Sequence, residues 1–331
     1  MLNGKSVLIT GGTGSFGKKF VETILQNYPG IERIVIFSRD EFKQFEMSNM
    51  PIFKDNPRLR FFIGDIRDKE RLFRAFENID IVVHAAALKH ISICEYNPFE
   101  AIKTNILGTQ NVIEAAIDKN VKKVVALSTD KACAPINLYG STKLCSDKLF
   151  ISGNAYVGSR ETKFSVVRYG NVAGSRGSVI PFYKNLIESG AKELPITDER
   201  MTRFWLKLEE AVEMVLKALE TMSGGELFVR KIPSIKITDL AKAIAPHLPT
   251  KVIGIRPGEK IHEMMISADD ARKTVELDNY YIIQPDFKWW NPLKLHKEGK
   301  KVSDNFEYDS GTNTEWLNVD EIKALAKDLN A

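Results

Sequence analysis

Cysteine is scarce: Cys94, Cys133 and Cys145 are the only three among 331 residues. An odd number without CxxC spacing argues against both a disulfide framework and a structural zinc site, so a reducing cytoplasm is expected. Long hydrophobic runs are missing as well. The longest mostly apolar stretch, Ile79 to Leu88, is interrupted by Asp80 and His84 and falls far short of a bilayer span. Met1 to Lys5 lead straight into an apolar segment, leaving no room for a signal peptide's h-region, and the chain is expected to be neither secreted nor membrane-spanning. Charge of one sign is not in surplus. Lys and Arg total 47 against 43 Asp and Glu, a net +4 from two interspersed populations, which gives nucleic-acid binding no support. No fixed-period repeat is present, and no grouping of His, Cys, Asp and Glu has metal-ligand spacing, so no metal is expected.

What remains is a globular composition, 44% hydrophobic and 27% charged, long enough for one large core or two unequal domains. The first half alternates β-branched runs with segments of helical length. Ser6–Thr10, Arg33–Phe37, Leu59–Ile63, Ile81–His84 and Lys123–Leu127 read as strands. Phe16, Phe20, Ile24 and Leu25 fall near helical spacing, and Ala101, Ile102, Ile106, Val112, Ile113 and Ala116 mark one long later helix. Such a βαβ series predicts an α/β fold, a doubly wound parallel sheet covered by helices on both faces. After about residue 170 the regularity weakens through Gly174–Ser178, Pro181, Pro195, Gly224-Gly225, Pro233 and Pro257-Gly258. Residues 1–170 are therefore expected to form the nucleotide-binding domain, with some later segments returning to it, and 171–331 mainly a smaller substrate lobe and tail. The charged stretch from Lys297 to Gly311 is expected to be a loop before a final helix near Val319–Leu329.

Gly11-Gly12-Thr13-Gly14-Ser15-Phe16-Gly17 follows a predicted strand and opens a predicted helix, where glycines allow a tight turn and close approach of a pyrophosphate. The second strand ends in Phe37-Ser38-Arg39-Asp40 rather than in a lone carboxylate for a ribose hydroxyl. Ser38 and Arg39 suit a 2′-phosphate, so NADP is expected over NAD. Arg39 could equally be an ordinary exposed arginine, and Asp40 an N-cap. Ala85-Ala86-Ala87 after the fourth strand leaves the backbone close to the ribose and nicotinamide. Tyr139 and Lys143 form Y-x-x-x-K, one helical turn apart, just beyond the fifth strand with Ser128-Thr129 at its end. A Lys ammonium and a cationic nicotinamide would depress the phenol pKa and let Tyr139 take a hydroxyl proton during alcohol oxidation. Asp130 and Lys131 follow Thr129 directly, one acid and one base more than simple oxidation needs.

The G-x-x-G-x-x-G spacing of Gly11, Gly14 and Gly17 resembles the extended short-chain dehydrogenase/reductase family. Lys5 to about Asn171, with Arg256-Pro257-Gly258-Glu259-Lys260-Ile261-His262-Glu263, resembles its inverting UDP-N-acetylglucosamine 4,6-dehydratases of pseudaminic acid biosynthesis, and Thr129-Asp130-Lys131 is the most specific mark. The resemblance implies a Rossmann sheet and catalysis by Thr129, Asp130, Lys131, Tyr139 and Lys143. It implies NADP held by Gly11, Thr13, Gly14, Ser15, Phe16, Gly17, Ser38, Arg39, Asp65, Ile66, Ala85, Ala86, Lys89, Tyr139, Lys143 and Val172. It implies a UDP-sugar contacted by Lys89, Lys131, Asn171, Arg256 and Glu259, and a homo-oligomer, a dimer or multiple of dimers and possibly a hexamer, paired through helices near Pro98–Asn120 and Tyr139–Ser152. In related dehydratases Asp donates a proton to the departing C6 hydroxyl and Glu removes the C5 proton. Here Lys131 takes that second place, and a lysine base must be neutral when it acts, which burial and a cationic nicotinamide would promote. His84 and His90 are expected to be structural. A nucleotide-sugar reductase or epimerase and a noncatalytic NADP-binding protein are the alternatives.

Overall fold

The computed structural model describes residues 1–174, 178–285 and 299–328. Residues 175–177, 297–298 and 329 of the segments singled out above lie outside the described residues. Strands β1 (Ser6–Thr10), β2 (Arg33–Ser38), β3 (Leu59–Ile63), β4 (Ile81–His84), β5 (Lys123–Thr129) and β6 (Lys163–Tyr169) lie parallel in the order 3-2-1-4-5-6, and Leu227–Arg230 adds a seventh parallel strand beside β6. Three antiparallel strands, Tyr280–Ile283, Thr274–Glu276 and Lys300–Lys301, continue the sheet past that edge. The fold is thus α/β with a doubly wound, mostly parallel sheet.

β1, β2, β4 and β5 read as largely apolar runs because both faces are covered, whereas the edge strand β3 carries Arg60 and exposes Ile63. In β1, Val7 and Ile9 point into one core and Leu8 into the other, and in β5 Val125 and Leu127 oppose Val124 and Ala126 in the same way. Each fully buried Val, Leu or Ile contributes roughly 1.5–3 kcal/mol, so shifting a strand by one residue would exchange its two faces and lose most of this packing. The helix Leu208–Thr221 also returns to the large sheet, adding Val212, Val215 and Leu219 to the core that Phe20 and Ile24 occupy. A third core around Trp205, Ile180, Ile235 and Leu240 belongs to the smaller lobe, whose sheet contains Asn171–Val172, Thr202–Leu206 and Ser234–Lys236.

Two expectations need correction. The long helix after Ala101 is interrupted: Pro98–Ile102 and Gly108–Asp118 are α-helical, but Lys103–Leu107 forms a π-turn that inserts Asn105 between them. The charged tail is also not simply a loop, since Lys300–Lys301 pairs with Thr274–Glu276 and Tyr308–Asp309 with Met264–Ile266. The final helix runs from Val319 to Asp328.

One buried ion pair lies within the large-sheet domain and also reaches the strand Met264–Ile266. Arg168, at the end of β6, donates to Asp147 Oδ2 at 3.2 Å and to the Met265 carbonyl at 2.7 Å, while Ser128 Oγ donates to the same Asp147 oxygen at 2.7 Å. Arg168→Met should destabilise the fold by about 3–5 kcal/mol, because the Asp147 carboxylate would be left buried without its counter-charge. Urea unfolding measures this, and a loss under about 1 kcal/mol would contradict it.

Candidate active site

The strand order reverses between β1 and β4, and the loops leaving these two strands meet there. Gly11 has φ +66°, and a Cβ on it would lie 2.9 Å from the Ala86 nitrogen. A Cβ on Gly17 would run into the Gly12 backbone, so this glycine lets the helix Ser15–Asn27 pack onto the turn. Gly14 caps that helix without a side-chain hydrogen bond, and no acidic residue occupies the first turn. Thr13, Gly14, Ser15 and Phe16 therefore surround a helix N-terminus whose backbone N–H groups and positive end suit a phosphate. A dinucleotide pyrophosphate fits this cradle. Thr10 Oγ1 accepts from Ala85 N at 3.2 Å and Ala86 N at 3.3 Å, holding the β4 loop against β1.

At the far end of the crevice, Ser38 is buried and shares a 2.8 Å hydrogen bond with Thr13 Oγ1. Arg39 is about half exposed and lies 3.6 Å from Asp65, whose carboxylate is bound more closely by Arg67. Asp40 is indeed an N-cap, accepting from Lys43 N at 3.0 Å. Ile66 packs against Gly108, and its carbonyl accepts from Asn111. These residues form one wall with the glycine loop.

The second centre lies at the end of β5. Thr129, Asp130 and Lys131 begin a short 3₁₀ turn over which the helix Leu138–Gly153 lies. The close approach depends on Gly140, where a Cβ would strike the Lys131 carbonyl. It brings Tyr139 to Thr129, which is hydrogen-bonded to the phenol, and places Lys143 on the same helix face. Asp130 is fully buried: its Oδ1 accepts from Thr129 Oγ1 at 2.8 Å, Lys131 N at 2.9 Å and Lys131 Nζ at 3.1 Å. Lys131 Nζ also lies 3.3 Å from Asn171 Oδ1 and 3.3 Å from Glu263 Oε1. Val172 follows Asn171 in the strand that pairs with Thr202–Leu206.

In the chain by itself, two groups shift in the direction opposite to the one expected beside a bound cationic nicotinamide. Burial disfavours charge on Lys131, yet Asp130 and Glu263 outweigh it and hold the ammonium pKa above its usual value. Burial and then Asp130 push Tyr139 up, only partly offset by its bond to Thr129, so the chain's own groups keep the phenol protonated. Burial does lower Lys143, against the pull of Asp147. Lys89 is lowered by partial burial and by the nearby Lys131 charge.

Arg256 and Glu259 lie 3.8 Å apart on a loop that is latched to the catalytic helix. Asn137 makes the latch: its Oδ1 caps the helix through Gly140 N at 2.7 Å and its Nδ2 donates to the Gly258 carbonyl at 2.7 Å. Lys260 Nζ donates to the Cys133 carbonyl at 2.7 Å. Sequence reading missed Asn137, Lys260 and Asn105, which clamps both the N–H and the carbonyl of Leu88 and donates to Thr142. It also assigned no role to Arg203 or Glu263. A Y-G-x-x-K reading would have exposed Gly140, whereas the others act across distances in sequence that no local pattern records.

This is the arrangement of the extended short-chain dehydrogenase/reductases, the class that the glycine spacing suggested. Within it, the chain belongs to the polysaccharide biosynthesis protein family, whose model matches residues 7–285. It is 57% identical over 328 residues to the UDP-N-acetylglucosamine 4,6-dehydratase (inverting) of Campylobacter jejuni subsp. jejuni, covering 97% of each chain. It is 44% identical to the UDP-glucose 4-epimerase of Rickettsia canadensis, over 98% of this chain and 96% of that one. The X-ray structure of Pen from Bacillus thuringiensis superposes with a TM-score of 0.90 at 39% identity, covering 100% and 99% of the two chains. DesIV from Streptomyces venezuelae, a dTDP-glucose 4,6-dehydratase solved with NAD bound, shares the fold at a TM-score of 0.70 and 23% identity, over 77% and 86%. Among the described residues no His, Cys, Asp and Glu group could hold a metal, and no helix is long and apolar enough to cross a membrane.

His84 takes no part in this chemistry but reports on its surroundings. Its Nδ1 lies 2.8 Å from Thr10 Oγ1, and His90 only precedes the helix Ile91–Tyr96. Burial, then the Lys143 charge, lower the His84 pKa to about 3. The unfolded chain therefore binds this proton more readily than the folded one. Stability is full above about pH 6.5 and falls by about 1.4 kcal/mol per pH unit as pH drops from there toward 3. Urea unfolding against pH should show a steeper acid loss for wild type than for His84→Gln, and parallel curves would contradict this.

Proposed function

We propose that the chain is a lyase, a nucleotide-sugar 4,6-dehydratase that converts UDP-N-acetylglucosamine to the C5-inverted 4-keto-6-deoxy sugar, the first step of pseudaminic acid biosynthesis. The observation that carries this reading is the joining of Asp130 and Lys131 to Tyr139 through Thr129 at one strand end. The 57% identity to the Campylobacter dehydratase supports it.

The glycine cradle, Ser38, Arg39, Asp65, Ile66, Ala85, Ala86, Lys89, Val172 and the Tyr139–Lys143 pair would hold a nicotinamide dinucleotide. Bound there, it would supply a hydride acceptor at C4 and a hydride donor at C6, so the whole conversion would be redox-neutral. Tyr139 accepts the C4 hydroxyl proton, with Lys143 beside it and Thr129 orienting the phenol. The ketone at C4 acidifies the C5 hydrogen. Lys131 removes that hydrogen while Asp130, entering the step with a proton on the unpartnered Oδ2, gives it to the departing C6 hydroxyl, which leaves as water, and reprotonation of C5 on the opposite face gives the L-configured product. Asn171, Arg256 and Glu259 hold the UDP-sugar, the guanidinium on its diphosphate and the carboxylate on ribose hydroxyls.

NADP is the preferred dinucleotide, because Arg39 supplies a half-exposed guanidinium and no carboxylate reaches from the end of β2 toward a ribose. A dimer, or a multiple of it, is supported by Phe99 and Leu107, which are exposed along one of the helices expected to pair, and by Ile93 and Tyr96, exposed on the short helix before it. Three free cysteines suit the cytoplasm.

Asp130→Asn and Lys131→Ala should each convert UDP-N-acetylglucosamine only as far as a 4-keto sugar that keeps its C6 hydroxyl, as proton NMR would read directly. Loss of that hydroxyl at wild-type rate in both variants would refute the dehydratase reading. The relatives named as UDP-glucose 4-epimerases favour a second reading, in which C4 is inverted and C6 untouched. A product of that kind from the wild type would establish it. Tyr139→Phe should slow turnover roughly 100-fold or more while nearly preserving dinucleotide affinity. Arg39→Ala should weaken NADP binding by about 1.5–3 kcal/mol and leave NAD binding nearly unchanged, whereas equal losses in a titration would remove Arg39 from cofactor choice.

A further inference from the structure

Glu263 has no part in the chemistry so far, yet it occupies the most costly position in the site. Its side chain is 3% exposed against 19% for Lys131, so Lys131 reaches solvent and Glu263 lies behind it. Oε1 faces Lys131 Nζ at 3.3 Å and Arg203 Nε at 3.9 Å, while Oε2 is buried with no hydrogen-bond partner among the described residues. The backbone is fixed on both sides, Glu263 N donating to Ser310 Oγ at 2.8 Å and Ser310 N donating to the Glu263 carbonyl at 2.8 Å. Its charge balances the Lys131 ammonium and Arg203, which a glutamine would leave without that partner, and charge balance alone does not account for the unpartnered Oε2.

We propose that Glu263 is the proton partner of Lys131: a positioning residue that aims the amine at the substrate and takes its proton, so that Lys131 reaches the neutral form a base requires. The proposal rests on the reading of Lys131 as the C5 base. The step balances within the chain: an N–H bond of the Lys131 ammonium breaks, an O–H bond forms on Glu263, and the pair passes from two opposite charges to none. Neutral Lys131 then removes the C5 hydrogen and regains the ammonium form. Burial raises Glu263 and so favours its taking a proton, while Asp130 and Glu263 hold Lys131 as the ammonium, so the pair rests as ions and the transfer precedes C5 abstraction. The charges facing the pair are Asp130 on the β5 turn, Arg203 on the Thr202–Leu206 strand, Lys260 on the loop before Glu263 and Lys89 after β4. Tyr139 and Cys133, both facing Asp130, are the remaining titratable neighbours.

Because the transfer is internal, it needs no net exchange with solvent, and C5 deuterium exchange by the wild type should stay level across neutral pH. Its acid limb should appear only where the pair takes up a second proton. In Glu263→Gln the proton must leave to water, so the acid limb should move up to the ionisation of Lys131 alone, by about one pH unit or more. Glu263→Asp, which restores a carboxylate, should return the limb toward its wild-type position. A folded Glu263→Gln with an unmoved acid limb, whatever its plateau rate, overturns the proposal. The wild type alone can also overturn it, should its own acid limb lie above neutrality as for an unassisted lysine. Lys131→Ala separates the two layers. Wild-type C5 exchange in that variant overturns the role of Lys131 and the proposal with it, whereas abolished exchange together with an unmoved limb in Glu263→Gln overturns the proposal alone.

Discussion

The fully buried carboxyl group of Asp130 gathers three donors on Oδ1 and none on Oδ2, and the candidate site is organised around it. Thr129 and the Lys131 N–H donate to it, and the Lys131 ammonium closes the circle. Lys131 in turn is drawn toward Glu263 and Asn171, and Glu263 toward Arg203. Each group is fixed by the charge of the next, so no member can be removed without stranding another in a low-dielectric surround. Such preorganisation suits chemistry in which protons move at C4, C5 and C6 of one sugar without the protein rearranging between steps.

The sheet supplies the geometry for this cluster. The end of β5 carries Thr129, the end of β6 leads to Asn171, and the β1 and β4 loops close the neighbouring dinucleotide crevice. The smaller lobe contributes Arg203 and Glu263, and it is tied to the sheet through Arg168, Asn137 and Lys260. Residues from both lobes therefore meet at a single amine, Lys131 Nζ.

The inner parallel strands were legible because they are buried on both faces, and the expected spans of β1 and β4, with that of the half-exposed edge strand β3, match the observed ones residue for residue. The glycine turn was legible because a tight turn before a helix leaves a local mark. Three kinds of feature were not. The π-turn at Lys103–Leu107 has no signature in apolar spacing, since Ile102, Ile106 and Val112 tolerate the inserted residue. The Asn137–Gly258 latch spans 121 residues. The pKa directions of Lys131 and Tyr139 in the chain by itself depend on Glu263 and Asp130 converging in space, which no local pattern records.

Inversion at C5 is where this account is most exposed. Wild-type protein incubated with UDP-N-acetylglucosamine in deuterated water should yield a 4-keto-6-deoxy sugar of L-arabino configuration, read from proton coupling constants, with deuterium at C5. A product that retains the D-configuration at C5, or that carries protium there, would contradict the assignment of Thr129, Asp130 and Lys131 as an inverting dehydratase centre.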